Sequence, residues 1–398
     1  MGRGKTSAAI NFINRAGQGG RWMFIVPYKT EIKRVMEACG ESHFFEPDPE
    51  DEIGKLNDIK HLLQQGKNIV STHALFGRLD SEALELIRGG GYNLVMDEVT
   101  QVLDHVEITA HDAKLLEEKL VTINENKRVI WRDASYTGKF EPYKEKVESR
   151  RVYRYSPQLW LSMIPLDLFA AFKDVYIMTY MFEHQLQRCY FDFVGLPYEY
   201  LHVGGDSQEN YIFTETNRAN TRTNYKELIH ICNDRKMNEE GSDKFALSKG
   251  WYVSNYNSRE LEVLKNHIYN FFRHKAKTRA ALNMWTTFGK SDARGMDWRQ
   301  KLAGKGYSKG FISCNARGTN DFRGKTSLAY LVNRFPHTCD RNFLMSQGIP
   351  IDSDFFALSE MLQWIWRSAI RDGKEIAIYV PSLRMRTLLE DWVERVSG

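Results

Sequence analysis

The feature that most constrains this chain stands at its start: Gly2-Arg3-Gly4-Lys5-Thr6-Ser7, followed at once by the apolar-spaced run Ala8-Ala9-Ile10-Asn11-Phe12-Ile13. Glycines in such a stretch let main-chain N–H groups close on phosphate oxygens, so Gly2, Gly4, Lys5, Thr6 and Ser7 read as the second half of a phosphate-binding loop. Lys5 then reaches the β- and γ-phosphates of ATP, the Thr6 hydroxyl ligates Mg²⁺, and the next helix turns its positive end toward the anion. A flexible basic N-terminus would show the same six residues, because a short motif is confirmed only by its context. A complete loop begins earlier and hangs from a strand, whereas Met1 alone precedes Gly2. The expectation is that the natural chain starts upstream and that the added segment raises nucleotide affinity.

Beyond the loop, short apolar runs alternate with amphipathic stretches. Residues 21–27 (RWMFIVP) end in proline and read as a buried strand, and 28–39 have helical spacing. Residues 68–72 (NIVST), 92–96 (YNLVM) and 128–131 (RVIW) repeat the pattern, leading to His73, to Asp97-Glu98 and to Asp133-Ala134-Ser135. This alternation predicts an α/β fold with a mostly parallel sheet flanked by helices, and ligands at the carboxyl ends of the strands. Two adjacent carboxylates delivered there suit nucleotide hydrolysis, with Asp97 holding Mg²⁺ and Glu98 polarising the attacking water. An acidic turn reads the same when taken alone. The phosphate loop upstream is what favours the hydrolase.

Residues 140–172 break the alternation, and a second α/β unit opens with 175–179 (VYIMT). The predicted division is a first domain over 1–150, a linker over 151–172, and a second domain over 173–398 with a polar insertion at about 204–246. A chain of 398 residues accommodates two domains. Its apolar content of 42% and charged content of 27% are those of an ordinary globular protein, and a net charge of +4 permits a nucleic-acid partner without demanding one. Cys39, Cys189, Cys232, Cys314 and Cys339 lack metal-ligand spacing and read as reduced thiols of a cytoplasmic protein. No stretch reaches the length of a membrane span and no signal peptide opens the chain, so no membrane partner is expected. His105, His111 and His184 show no partner at ligand spacing and read as surface or packed side chains. Arg273, Lys275, Lys277 and Arg279 beside Phe271 and Phe272 form either a cation–aromatic patch for a nucleic-acid strand or a solvated helix end.

Gly-Lys-Thr and Asp-Glu in the first of two successive α/β units resemble the tandem RecA-like core of superfamily 2 helicases, over nearly the whole chain. Gly2 to Thr6 looks like motif I, Pro27-Tyr28-Lys29 sits where motif Ia falls, and Ser71-Thr72-His73 resembles the later strand-contacting motif of the first domain. Asp97-Glu98-Val99 is similar to motif II, and Asp133-Ala134-Ser135 stands in the place of motif III. Residues 311–336 resemble motif V. Gln363-Trp364-Ile365-Trp366-Arg367 and Arg371 resemble motif VI, with Trp366 in place of its glycine and the second arginine one residue late. The style of motif II is that of phage and mobile-element helicases.

The resemblance implies two RecA-like P-loop domains that hydrolyse ATP with Mg²⁺ and ratchet a single strand, DNA rather than RNA, alongside other replication proteins. Glu98 activates the water, and an arginine of the second domain steadies the γ-phosphoryl charge. Arg367 and Arg371 lie four apart on a predicted helix, one turn from Gln363, and so share a face. Arg371 is assigned to the γ-phosphate and Arg367 to closing the domain interface. Phosphate contacts to the strand fall to Ser71, Thr72, Arg78, Asn315, Arg317, Thr319 and Asn320. Two other classes stay open: a nucleic-acid-binding loader or scaffold with a degenerate nucleotide site, and a packaging-type P-loop ATPase.

Overall fold

The apolar runs of 21–26 and 92–96 lack polar alternation, so each strand needs cover on both faces. The computed structural model provides it, and describes residues 4–48, 52–205, 210–215, 224–291, 295–315 and 321–397. The chain divides into two units. One is Thr6–Tyr200 with His337–Ile351, and the other is Met1–Lys5 with Leu201–Pro336 and Asp352–Gly398.

In the Thr6–Tyr200 unit the strands are β1 (Arg21–Val26), β2 (Phe44–Phe45), β3 (Asn68–Thr72) and β4 (Tyr92–Asp97). After them come β5 (Leu103–Glu107), β6 (Val121–Ile123), β7 (Val129–Trp131), β8 (Arg151–Ser156), β9 (Leu159–Met163) and β10 (Val175–Met178). The main sheet runs β10-β4-β1-β3-β2 and every pairing is parallel. The helix α1 (Lys5–Ala16) turns Ala8, Ala9, Ile10 and Ile13 inward. Its Phe12 ring lies 5.7 Å from Trp22 of β1 and 5.3 Å from Tyr176 of β10. On the sheet, Met23, Ile25, Leu94 and Met96 form one core with Ile59, Leu63, Ala83 and Ile87 of the flanking helices.

Three sequence expectations need correction here. Val175–Met178, expected to open the second domain, pairs with β4 from Val175↔Leu94 to Met178↔Asp97 and so closes the first sheet. An apolar run reveals that a strand exists but not which sheet it joins. Residues 151–172, expected as a linker, contain β8 and β9, which form an antiparallel sheet in the order β5-β9-β8. β7, expected in the parallel sheet, instead pairs antiparallel with β6, and Asp133 accepts from the Ser135 N–H in a local turn. The chain also returns late: on 337–351, Phe343, Leu344 and Ile349 enter the same core as Tyr153 and Phe193.

In the other unit, β11 (His202–Gly204) and β12 (Ile212–Thr214) form a hairpin, followed by β13 (Ile229–Ile231), β14 (Asn283–Thr286), β15 (Lys290–Ser291), β16 (Met296–Asp297), β17 (Ser327–Tyr330) and β18 (Ile376–Tyr379). A four-stranded parallel sheet runs β13-β18-β17-β14. β13 lies inside the stretch expected as an insertion; three residues are too few to show a period against polar flanks. At the start of the stretch that resembles motif V, Phe311 forms an isolated bridge to Trp285. The core is aromatic: Tyr252, Trp285, Trp298, Tyr307 and Tyr379 are buried together. Burial of the Tyr252 hydroxyl is offset by a 2.7 Å bond to the Leu331 carbonyl.

Among the described residues, no helix is long and apolar enough to cross a membrane. All five cysteines are free thiols.

Candidate active site

The site is built at the carboxyl ends of β4 and β10 and the amino end of α1. Gly4 takes φ +69°, in the left-handed region, and α1 begins at the next residue. Lys5, Thr6 and Ser7 therefore occupy the first turn, where main-chain N–H groups lack intrahelical acceptors. No acidic residue sits in that turn to satisfy them. Gly2 lies outside the described residues.

β4 delivers Asp97 to meet this turn. The Thr6 hydroxyl donates to Asp97 Oδ1 at 3.2 Å across 91 residues of sequence. Arg34, on the helix α2 (Ile32–Ala38) that comes after β1, reaches within 3.8 Å of Asp97 Oδ2 and is itself held by Glu31 at 2.7 Å. His73 Nε2 lies 2.9 Å from the Asp97 main-chain oxygen.

Glu98 is bent out of the strand. Its φ of +68° is left-handed, which costs an L-residue about 1–2 kcal/mol. Strain of this kind persists only where the surroundings over-determine it. Those surroundings come from β10: the Glu98 N–H donates to the Met178 carbonyl at 3.1 Å. The Thr179 hydroxyl stands 3.3 Å from Glu98 Oε2 and 3.2 Å from Gln185 Oε1, able to donate to either. Gln185 is buried and donates to the Tyr180 carbonyl at 2.9 Å, while buried Gln187 accepts from the Thr100 N–H at 2.9 Å. A polar shelf thus fixes the Asp97–Thr100 turn from beneath. Arg34, Thr179, Gln185 and Gln187 escape sequence reading, since each becomes part of the site only through the fold, and His73, read with the strand-contacting motif, is found instead against the Asp97 main chain. Thr179 does have a cue, a hydroxyl directly after an apolar run. Thr179, and not Asp133-Ala134-Ser135, follows the strand that pairs with β4.

The surface residues expected to touch a nucleic-acid strand separate. Ser71 is 2% exposed within β3, closed off by the sheet, and leaves that set. Thr72 caps the helix His73–Phe76, its hydroxyl accepting from the Leu75 N–H at 3.5 Å. Arg78 and Asn315 are exposed, and the Ser313 hydroxyl donates to the Asn315 side chain. Arg317, Thr319 and Asn320 lie outside the described residues. Phe271 and Phe272 are buried, and Lys275 pairs with Asp234 at 2.6 Å, so the stretch is a helix end and offers no cation–aromatic patch.

Gln363, Arg367 and Arg371 do not share a helical face. The helix Ser353–Ile365 ends before Arg367, whose N–H donates to the Trp364 carbonyl at 3.1 Å. The Ser368 hydroxyl then donates back to the Ile365 carbonyl at 2.7 Å, and Arg371 falls in a separate short turn, Ala369–Asp372. Gln363 and Arg367 are buried, and Arg371 is exposed.

Comparison with known proteins adds a family. Residues 223–393 match the family described as the YonV C-terminal Rossmann-like domain. Among solved structures, Xpd4 of S. tokodaii aligns over 96% of this chain and 95% of its own, at 10% identity and a TM-score of 0.39. The SPbeta prophage-derived uncharacterized protein YonV of Bacillus subtilis (strain 168) is 38% identical over 407 residues, covering 99% of this chain and 97% of that protein. The chain therefore belongs to the YonV family.

Proposed function

We propose that the protein is an ATP-dependent nucleic-acid helicase or translocase of a phage replication or recombination system, built on RecA-like units and acting on single-stranded DNA. The observation that supports this reading most is the approach of Thr6 and Asp97 at the strand ends, with strained Glu98 next in the chain. ATP phosphates would lie on the N–H groups that open α1, with Lys5 toward the β- and γ-phosphates. Thr6 and Asp97 offer a hydroxyl and a carboxylate oxygen, a hard donor set that fits Mg²⁺. When bound, that ion neutralises charge between the β- and γ-phosphates. Glu98 accepts a proton from the attacking water, with the Thr179 hydroxyl 3.3 Å from its carboxylate to hold it in place. Arg371, the exposed arginine of the pair, is our choice for the γ-phosphoryl group. Arg78, Asn315, Arg317, Thr319 and Asn320, with Thr72 at the end of β3, would track the phosphates of the strand. The prophage origin of the Bacillus relative supports the phage setting.

ATPase rates with single-stranded DNA, with RNA and with neither test the reading. Lys5→Ala should abolish hydrolysis, and Glu98→Gln should bind ATP without turnover. Wild-type turnover in Glu98→Gln would remove Glu98 from its role. Arg34 favours a second reading, a loader with a non-hydrolysing nucleotide site, because its guanidinium already places positive charge near Asp97. On that reading the protein binds ATP and strand yet shows no stimulated hydrolysis.

A further inference from the structure

We propose that His105, His337 and Asp340 bind a divalent transition-metal ion, zinc being the best match. None of the three serves the nucleotide site. His105 lies on β5, Asp340 in the first turn of the helix Thr338–Ser346, and His337 immediately before that helix. One ligand atom from each falls within 4.8 Å of the other two. His105 Nε2 is 2.7 Å from Asp340 Oδ1, and the His105 and His337 rings lie 4.0 Å apart between centroids, tilted by 37°.

Zinc bonds to histidine nitrogen and carboxylate oxygen are about 2.0–2.2 Å long, which sets tetrahedral ligand atoms roughly 3.3 Å apart. The set is therefore near closure, and the exposed His337 ring is the one placed to swing in. Two imidazoles and one carboxylate suit zinc or another first-row ion, whereas Mg²⁺ and Ca²⁺ prefer all-oxygen ligands. Three protein ligands leave a coordination position for water on the His337 side. Cys339, between the two in sequence, does not belong to this set of converging ligand atoms. A partly buried ion pair would account for His105 and Asp340 but not for the His337 ring brought to 4.0 Å from His105. Binding would also fasten the returning 337–351 segment to the β5-β9-β8 sheet, so occupancy should register as stability.

The test uses the full chain stripped with a chelator and titrated separately with Zn²⁺, Co²⁺ and Mg²⁺. Bound metal is counted by elemental analysis, affinity is measured by competition with a chromophoric chelator, and thermal unfolding is monitored. One zinc per chain, a raised midpoint and a visible Co²⁺ spectrum are expected, with no comparable effect of Mg²⁺. His337→Ala, an exposed position where folding should persist, and Asp340→Asn should each weaken zinc by more than about 100-fold, beyond what loss of an outer-shell partner costs. If wild type retains no zinc, or if His337→Ala and His105→Ala retain it as tightly as wild type, the proposal is overturned.

Discussion

Glu98 allows backbone strain to be separated from chemistry by comparing two substitutions, Glu98→Ala and Glu98→Gly. Both remove the carboxylate and its 3.3 Å contact with Thr179, so that loss cancels in the comparison. The backbone is the remaining difference. At φ +68° alanine bears the left-handed penalty of about 1–2 kcal/mol, whereas glycine bears none but loses about 0.5–1 kcal/mol of extra chain entropy on folding. The glycine variant should therefore equal the alanine variant or exceed it by up to about 1.5 kcal/mol. At a position of ordinary backbone geometry glycine would be the less stable by about 0.5–1 kcal/mol. Urea unfolding monitored by circular dichroism reads this difference, and both variants should lack ATPase activity. An alanine variant clearly more stable than the glycine one would show that the left-handed turn is not kept in solution. The shelf argument built on it would then fall.

Thr179→Val keeps the shape of the shelf and removes its hydroxyl. A bond worth about 1 kcal/mol should lower kcat roughly fivefold with ATP affinity unchanged, as steady-state kinetics beside nucleotide titration would show. Affinity for single strands should fall steeply between low and moderate salt and vary little with base sequence, because the contacts proposed are phosphate-directed; binding isotherms on several unrelated oligonucleotides check both. Glu360 holds Arg334 at 3.1 Å with its side chain 8% exposed, so Glu360→Ala should cost about 3 kcal/mol in denaturant unfolding by leaving a largely buried guanidinium without its carboxylate.

The α/β class and most of the parallel strands were legible, because buried parallel strands are continuous apolar runs, although the same signal put the antiparallel strand β7 in the parallel sheet. Membership of a sheet was not legible. Val175–Met178 has the same apolar character as β1 or β4, and only its register against Leu94 to Asp97 places it in the first sheet. The same blindness hid Thr179, which gains meaning from the strand it ends. The partner of His105 was hidden for a related reason: Asp340 is 235 residues away, beyond any local spacing rule. The shared face of Arg367 and Arg371 failed more locally. The helix stops at Ile365, short of both arginines, and helical periodicity carries no sign of that.

One pentapeptide shows where local reading stops. Arg-Gly-Lys-Thr-Ser occurs at 3–7 and again at 323–327. At the first copy Gly4 is left-handed and a helix starts at Lys5. At the second, Gly324 sits in a turn and Ser327 begins β17, with the Lys325 ammonium bonded to the Ala281 carbonyl at 2.7 Å. The residues immediately C-terminal to each copy decide between the two outcomes. Ala8-Ala9-Ile10 combines strong helix formers with one inward-facing stripe, whereas Leu328-Ala329-Tyr330 continues into a fully buried strand. Only the first copy brings its threonine to a carboxylate at the end of a parallel strand. The five residues by themselves thus do not decide the local structure. The helix behind them and the Asp97 strand beside them are what turn the first copy into a candidate site, while the second serves as an ordinary strand entry.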